Sequence, residues 1–438
     1  MEKVFLISLG CAKNRVDSEH MLGLLSRSGH GIVQNLKDAD VAVINTCGFI
    51  QEAVEEAIGL ILEVAGEKKR GRLKRLYVAG CMVQRYGYKL SRELPEVDGW
   101  LGTGGIDRIG EVVGGRGSPF LIEAPGFLAD HTTPRVGAAP YYSAYIKIAE
   151  GCSHRCTYCT IPKIRGSFRS RAVHSIVHEA EELAARGVVE INLVAQDTTM
   201  YGSDLGRGNR LEDLLSALLR IREISWIRVL YSHPDRISEG VLDLLTENER
   251  ICPYLDIPLQ HVNPTVLNRM GRTNGRENPR RMLERIRRRE REIALRTTLI
   301  VGFPGETDGA FEELSDFVEQ SAIDHVGVFV FSPEEGTPAA RLDRRVERKV
   351  AEERRDRIMK IQSGVSRRRN RVYIGRTLPV LVEGVSEETD LLLTGRTNTM
   401  APDVDGKVYI SKGKGSVGEI AQVRIRKAHD YDLVGEIV

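Results

Sequence analysis

Hydrophobic positions along this 438-residue chain keep one rhythm twice and then change to another. Short β-rich apolar runs at 3–9, 41–46 and 76–80 alternate with helical patterns at 17–28 and 50–69. In the second helical pattern Ile50, Val54, Ala57, Ile58, Ile61, Leu62 and Ala65 recur at helical spacing. Strand alternating with helix predicts a parallel α/β sheet. Residues 114–140 are rich in Gly and Pro and read as a linker with some strand in it. The α/β rhythm then resumes. An apolar run at 144–149 precedes helix–strand pairs at 175–186 and 188–195, 211–221 and 226–231, 238–247 and 254–259, 278–294 and 296–301, and 310–320 and 325–331. Six βα-type steps predict a partial (β/α)6 barrel, shorter than a full eightfold barrel of about 250 residues. A charge-dense helix at 341–371 leads into short strands with Gly turns at 377–384, 390–396, 407–412, 417–426 and 431–438, which predicts a small five-stranded, OB-like β-barrel. The expected division is 1–113, a linker at 114–140, 141–370 and 371–438.

Composition narrows the class. With 41% hydrophobic and 28% charged residues the chain is an ordinary globular one. Its net charge of +2 does not announce a nucleic-acid partner. The predicted small barrel carries nine Lys and Arg against ten Asp and Glu, whereas a phosphate-tracking surface needs a clear basic excess. Such a barrel suits a protein partner at least as well. No apolar run reaches membrane-span length, and Met1-Glu2-Lys3 leads into a strand rather than a signal peptide. Seven Cys are too sparse for a disulfide scaffold, so a cytoplasmic, reducing location is expected.

Cysteine placement then supplies the chemistry. Cys152, Cys156 and Cys159 stand at C-x3-C-x2-C spacing directly after a predicted strand. A structural zinc site wants four closed ligands, while three thiolates suit a group with an open position. Soft sulfur selects an iron–sulfur cluster or zinc, and bystander thiols are the third possibility. Cys11, Cys47 and Cys81 each stand at or just past the carboxyl end of one of the first three strands. Ligands gather at that rim of an open parallel sheet, so a second metal or cluster site competes here with three buried core thiols. Cys252 reads as a buried thiol. The Arg-rich stretch at 280–291 reads as a solvated helix face, or one that meets RNA or an acidic electron donor.

The run Gly151-Cys152-x3-Cys156-x2-Cys159, continuing into Thr160-Ile161-Pro162-x3-Gly166-x2-Arg169-Ser170-Arg171, resembles the radical S-adenosylmethionine (SAM) enzymes, and specifically the methylthiotransferases. The resemblance spans the whole chain, including a carboxyl-terminal TRAM domain. Ser8-Leu9-Gly10-Cys11-Ala12-Lys13-Asn14, Val194–Gly202 and Leu255–His261 look like the RimO group, which modifies an aspartate of ribosomal protein S-12. The tRNA-modifying MiaB group, the alternative, usually has Gln-Met at positions 12 and 13. The resemblance implies two [4Fe–4S] clusters, one on Cys152, Cys156 and Cys159 with an open iron for SAM, and an auxiliary one on Cys11, Cys47 and Cys81. It also implies SAM contacts at Gln196, Asp197, Gly302 and Glu306, and a reductant such as flavodoxin or ferredoxin. An aspartate β-hydrogen is unactivated, so a radical derived from the cofactor, rather than a side-chain base, would have to remove it.

Overall fold

The computed structural model describes residues 1–137, 140–206, 208–272 and 278–438. Its first sheet is wholly parallel. It contains β1 (Lys3–Ser8), β2 (Gly31–Ile32), β3 (Val41–Thr46), β4 (Arg75–Gly80), β5 (Gly99–Leu101) and β6 (Phe120–Leu121), in the order β2-β1-β3-β4-β5-β6. Every residue of β3 is buried, as a central parallel strand covered on both faces must be. Helix Gln51–Lys69 lays Val54, Ala57 and Ile61 against Ile44, Leu76 and Val78 on one face. Helix Ala12–Arg27 lays Met21, Leu24 and Leu25 against Val4, Val41 and Val43 on the other. Periodicity does not name β2, β5 and β6, because strands of two or three residues are too short to show a period, and it also leaves out helix Cys81–Glu93, whose buried face is Met82, Val83, Gly87 and Leu90. β6 is the strand inside the Gly/Pro-rich stretch, and it extends the sheet beyond residue 113.

The central strands are β7 (Ser143–Lys147), then the short antiparallel pair β8 (Ala149–Glu150) and β9 (Arg169–Ser170), then β10 (Glu190–Val194), β11 (Trp226–Val229), β12 (Tyr254–Asp256), β13 (Ala294–Val301) and β14 (His325–Val330). Parallel ladders join β7, β10 and β11, and separately β12, β13 and β14. The halves meet at a seam where the Ile227 N–H donates to the Arg250 carbonyl at 2.8 Å and the Cys252 N–H to the Ile227 carbonyl at 2.9 Å. The result is the expected open six-strand barrel wall. Cys252 is fully buried in the seam. β12 stops at Asp256, short of the predicted 259, because Pro258 has no N–H for the ladder. The Arg-rich helix is likewise shorter, Pro279–Arg287, since no apolar residue follows Ile286 until Ile293 to give it a buried face. Arg280, Arg281, Arg287 and Arg288 are exposed, whereas three arginines in and just beyond the helix are paired: Arg285 with Glu239 at 2.7 Å, Arg289 with Glu239 and Asp243, and Arg291 with the Asn248 carbonyl at 2.8 Å.

After helix Arg348–Arg371, the strands β15 (Thr377–Val385), β16 (Leu393–Thr397), β17 (Val408–Lys412), β18 (Ile420–Ala428) and β19 (Leu433–Ile437) close a barrel in the order β15-β16-β17-β19-β18. It docks on the amino ends of the central strands through buried charge. Glu190, fully buried at the start of β10, is held between Arg228 at 3.1 Å and Arg396 of β16 at 2.7 Å. Asp405 accepts from Tyr254 at 2.7 Å and pairs with Arg296 at 2.7 Å. Burial alone would raise the Glu190 carboxyl, but Arg396 and Arg228 hold it far below the usual range. Its contribution is thus fully present above the unfolded value of about 4.3 and is lost as pH falls below it. Glu190→Gln, which leaves two buried guanidinium groups underpaired, is expected to cost about 3–5 kcal/mol in urea unfolding. The variant should also show a shallower loss of stability below pH 4.3 than the parent; an unchanged acid limb would place the acid sensitivity elsewhere.

Candidate active site

All six expected ligand cysteines line one cavity of about 460 Å³ between the carboxyl rim of the first sheet and that of the partial barrel. Cys11, Cys47 and Cys81 arrive from β1, β3 and β4, which are adjacent in the sheet, so the topology brings residues dozens of positions apart to one edge. Cys11 is the cap residue of helix Ala12–Arg27 and Cys81 the first residue of helix Cys81–Glu93. Positive helix ends there favour thiolate over thiol. Gly10 has φ +93°, and a Cβ on it would stand 2.8 Å from the Cys47 Cβ, so the close approach of these two cysteines requires glycine.

The second trio sits on a loop pinned at several points. Gly151 has φ +79°, and a Cβ there would meet the Ser167 carbonyl oxygen at 2.1 Å. Its neighbour Cys152 donates its N–H to the Gly166 carbonyl at 3.0 Å, and Thr157 donates to the carbonyls of Met270 at 2.9 Å and Arg269 at 2.8 Å. His154 binds Asp197 at 2.6 Å and stacks on His233 with ring centroids 4.4 Å apart. Burial, joined by the charge of Arg272, drives the His233 ring down to about 3.

Between the rims lies a buried charge cluster. Arg165 reaches Asp17 at 2.5 Å, Glu150 at 3.3 Å, the Asn14 side-chain oxygen at 2.5 Å and the Cys81 sulfur at 3.1 Å. Lys147 pairs with Asp17 and with Glu150 at 2.5 Å. Burial would raise Glu150, but Lys147 and Arg165 pull it down to about 2. Asn14 donates to the carbonyls of Leu9 and Thr46, both at 3.0 Å, tying the ends of β1 and β3. Arg165 and Asn14 were not among the expected site residues, although both lie inside the cysteine motifs; only the docking of the two halves gives them a shared task.

The expected SAM-contact residues separate. Gln196 and Asp197 line the cavity. Gln196 donates to Glu150 at 3.0 Å, which leaves its side-chain oxygen buried with no partner. Asp197 is taken up by His154 and by Thr199 at 2.5 Å. Gly302 and Glu306 are not on the cavity wall. A Cβ on Gly302 would stand 2.4 Å from that of Ala351, and Glu306 accepts from the Gly302 N–H and pairs with Arg354 at 3.2 Å. The chain after β13 turns onto helix Arg348–Arg371, and Thr298 within β13 faces the cavity instead.

The cavity wall is furnished for a cluster rather than for a single ion. Among the described residues no three His, Cys, Asp or Glu side chains converge on the point a single ion would take. The trios are instead set around the walls of a cavity, and its orphaned acceptors include Gln196, Ser232 and Gln260. Burial pushes Cys152 up to about 11 and Cys81 and Cys159 up to about 12, so these thiols hold protons that iron would displace. Donor number and softness are those an iron–sulfur cluster requires.

Comparison with known proteins follows the same division. The family model "Uncharacterized protein family UPF0004" matches residues 3–102, "Radical SAM superfamily" residues 146–318 and "TRAM domain" residues 374–438. The "Ribosomal protein uS12 methylthiotransferase RimO" of Pelobacter propionicus is 49% identical over 100% of this chain and 98% of its own length. The protein of that name from Syntrophotalea carbinolica is 50% identical over 100% and 97%, and that from Geobacter sulfurreducens 47% over 100% and 99%. The chain belongs to the RimO family of radical SAM methylthiotransferases. Solved structures share the RimO-family chain's fold at low identity. The radical SAM methyltransferase TsrM from Kitasatospora setae, solved with tryptophan and a SAM analogue, has a TM-score of 0.58 at 16% identity, over 77% of this chain and 75% of its own. The cobalamin-dependent SAM radical enzyme OxsB has a TM-score of 0.52 at 12% identity, over 82% and 56%. Among the described residues no helix is long and apolar enough to cross a membrane.

Gly151→Ala is expected to lower the iron retained on anaerobic purification while leaving far-UV circular dichroism unchanged. Undiminished iron would show that this loop's backbone does not set the thiolate geometry.

Proposed function

We propose that this chain adds a methylthio group to the β-carbon of an aspartate in ribosomal protein uS12, using two [4Fe–4S] clusters. Cys152, Cys156 and Cys159 would hold the SAM-binding cluster, and Cys11, Cys47 and Cys81 the auxiliary one. The observation that carries this reading is that both trios open into a single cavity. When bound, SAM and the clusters supply the hydrogen-abstracting radical and the sulfur to be transferred.

The protein's part is placement and exclusion of water. Cys152 and Cys159 are pinned by backbone bonds, so the thiolate face is set before any ligand arrives. Gln196 presents an oriented oxygen, fixed by its bond to Glu150, which suits the amino group of SAM. Asp197 would act one step back, holding His154 and so the loop between Cys152 and Cys156. The ribosomal protein for which the full-length relatives are named supports a protein partner, as does the near-neutral TRAM barrel. A reductant of flavodoxin or ferredoxin type would supply electrons. We further propose the division 1–113, 114–140, 141–370 and 371–438 as functional units, with cytoplasmic location.

Cys156→Ala should abolish reductive SAM cleavage, and cleavage that survives would remove the radical assignment. Cys47→Ala should keep SAM cleavage but yield no methylthiolated product, and full product would sink the auxiliary site. Anaerobically prepared protein should carry about eight iron atoms per chain. Intact-mass analysis of ribosomal proteins from cells with and without this chain tests the substrate: a gain confined to uS12 is expected, and a change only in tRNA nucleosides would overturn it.

A further inference from the structure

Three permanently cationic side chains line the cavity, and they differ in what they face. Arg165 is matched by Asp17 and Glu150. Arg272 donates to the Pro258 carbonyl at 2.8 Å and points its other nitrogen at Cys156, 4.0 Å away. Lys13 has no carboxylate partner, and the groups that face it most closely are the Tyr231 hydroxyl and Cys11. Among the described residues no carboxylate lies within 4.0 Å of its ammonium, which rests instead on the face of Tyr231, 3.3 Å from the ring centroid. Burial works against its charge, Tyr231 and then Cys11 support it most, and Asp256 adds least, that carboxylate accepting from the Tyr231 N–H at 3.2 Å.

The surroundings of this cation are held in an unusual way. Tyr231 has φ 62° and Gln260 φ 69°, left-handed backbone that a residue with a side chain adopts at a cost. Both line the cavity, as does Ser232, and the side-chain oxygens of Ser232 and Gln260 are buried without a partner. A lysine on an aromatic face, short of a counter-ion in a secluded pocket and ringed by unused polar atoms, is arranged for an anion that arrives from outside.

We propose that Lys13, seated on Tyr231, binds the side-chain carboxylate of the substrate aspartate and so holds its β-carbon between the two cysteine trios. The inference rests on the ribosomal-protein reading above. The carboxyl carbon is bonded directly to the β-carbon, so anchoring it leaves few ways for the β-hydrogens to be misplaced. It also gives the site a means of choice. A charge-assisted bond to carboxylate is not reproduced by a neutral amide, and a site built for the charge rejects the analogue lacking it. The competing role for Lys13, balancing the thiolates beside Cys11, makes no such distinction.

The test compares iron-loaded full-length enzyme on two synthetic peptides, one carrying the uS12 target loop with its aspartate and one with asparagine in its place. Wild type should prefer aspartate roughly 10- to 100-fold in kcat/KM, with the asparagine peptide also a poor competitor. Lys13→Met should bring that preference close to unity, chiefly through KM, and Lys13→Arg should restore part of it. Equal loss on both peptides, with the preference kept, would overturn the proposal and leave Lys13 as a partner of the thiolates. If Lys13→Met does not retain iron, Tyr231→Leu carries the test, because it removes the platform and leaves Cys11 untouched; preference unchanged in that variant also overturns it. Failure of the wild type to modify the aspartate peptide would count against the ribosomal-protein reading instead.

Discussion

Asp17, Lys147, Glu150 and Arg165 are buried together at the meeting of the two α/β halves, and the site depends on their pairing. Asp17 comes from the first half and the other three from the second. Apart, each half would have to leave these charges in water; together they can be buried because two cations meet two carboxylates. Breaking one member would strand the rest, so docking of the halves and assembly of the cluster are a single event. Arg165 carries the consequence to the chemistry, since the same guanidinium touches Asn14 and the sulfur of Cys81. Glu150 carries it the other way, by fixing Gln196 at the end of β10.

Two parallel sheets placed rim to rim explain why the chain is built from two α/β units. Each sheet offers its loops at the carboxyl ends of its strands. Facing those ends across one cavity lets two separate sulfur-rich sites address a common space, which neither sheet could enclose alone. The helix ends at Cys11 and Cys81 place favourable dipoles beside both sulfurs, against the burial that pushes the Cys81 thiol up. The first trio therefore depends on elements that also build the core of its domain.

The small barrel follows a related economy of charge. Its Arg396 and Asp405 are spent inward, on Glu190 and on Arg296 and Tyr254, where they lock the barrel to the amino ends of the central strands. Arg285, Arg289 and Arg291 are likewise turned onto a neighbouring segment, while Arg287 and Arg288 stay exposed. Counting charges along the chain thus overstates the basic surface that a partner would meet.

The sequence by itself determined the longer strands and helices in their order, the small terminal barrel and the identity of all six candidate ligands. Those features rest on local periodicity, on turn chemistry and, for Cys152, Cys156 and Cys159, on a short motif whose residues sit close together in the chain. It also placed Cys11, Cys47 and Cys81 at strand ends. What it could not decide was which strand ends lie side by side, because β1, β3 and β4 become neighbours only through sheet order. Nor could it assign Arg165, Lys13, Tyr231 or Gln260, whose roles come from contacts between residues far apart in the chain. For the same reason the sequence could not place Gly302 and Glu306, which resemblance suggests as cofactor contacts: they lie off the cavity wall because the turn after β13 leans on helix Arg348–Arg371. Ligand identity is local chemistry, whereas the shared cavity is a product of docking, and only the folded chain brings the two together.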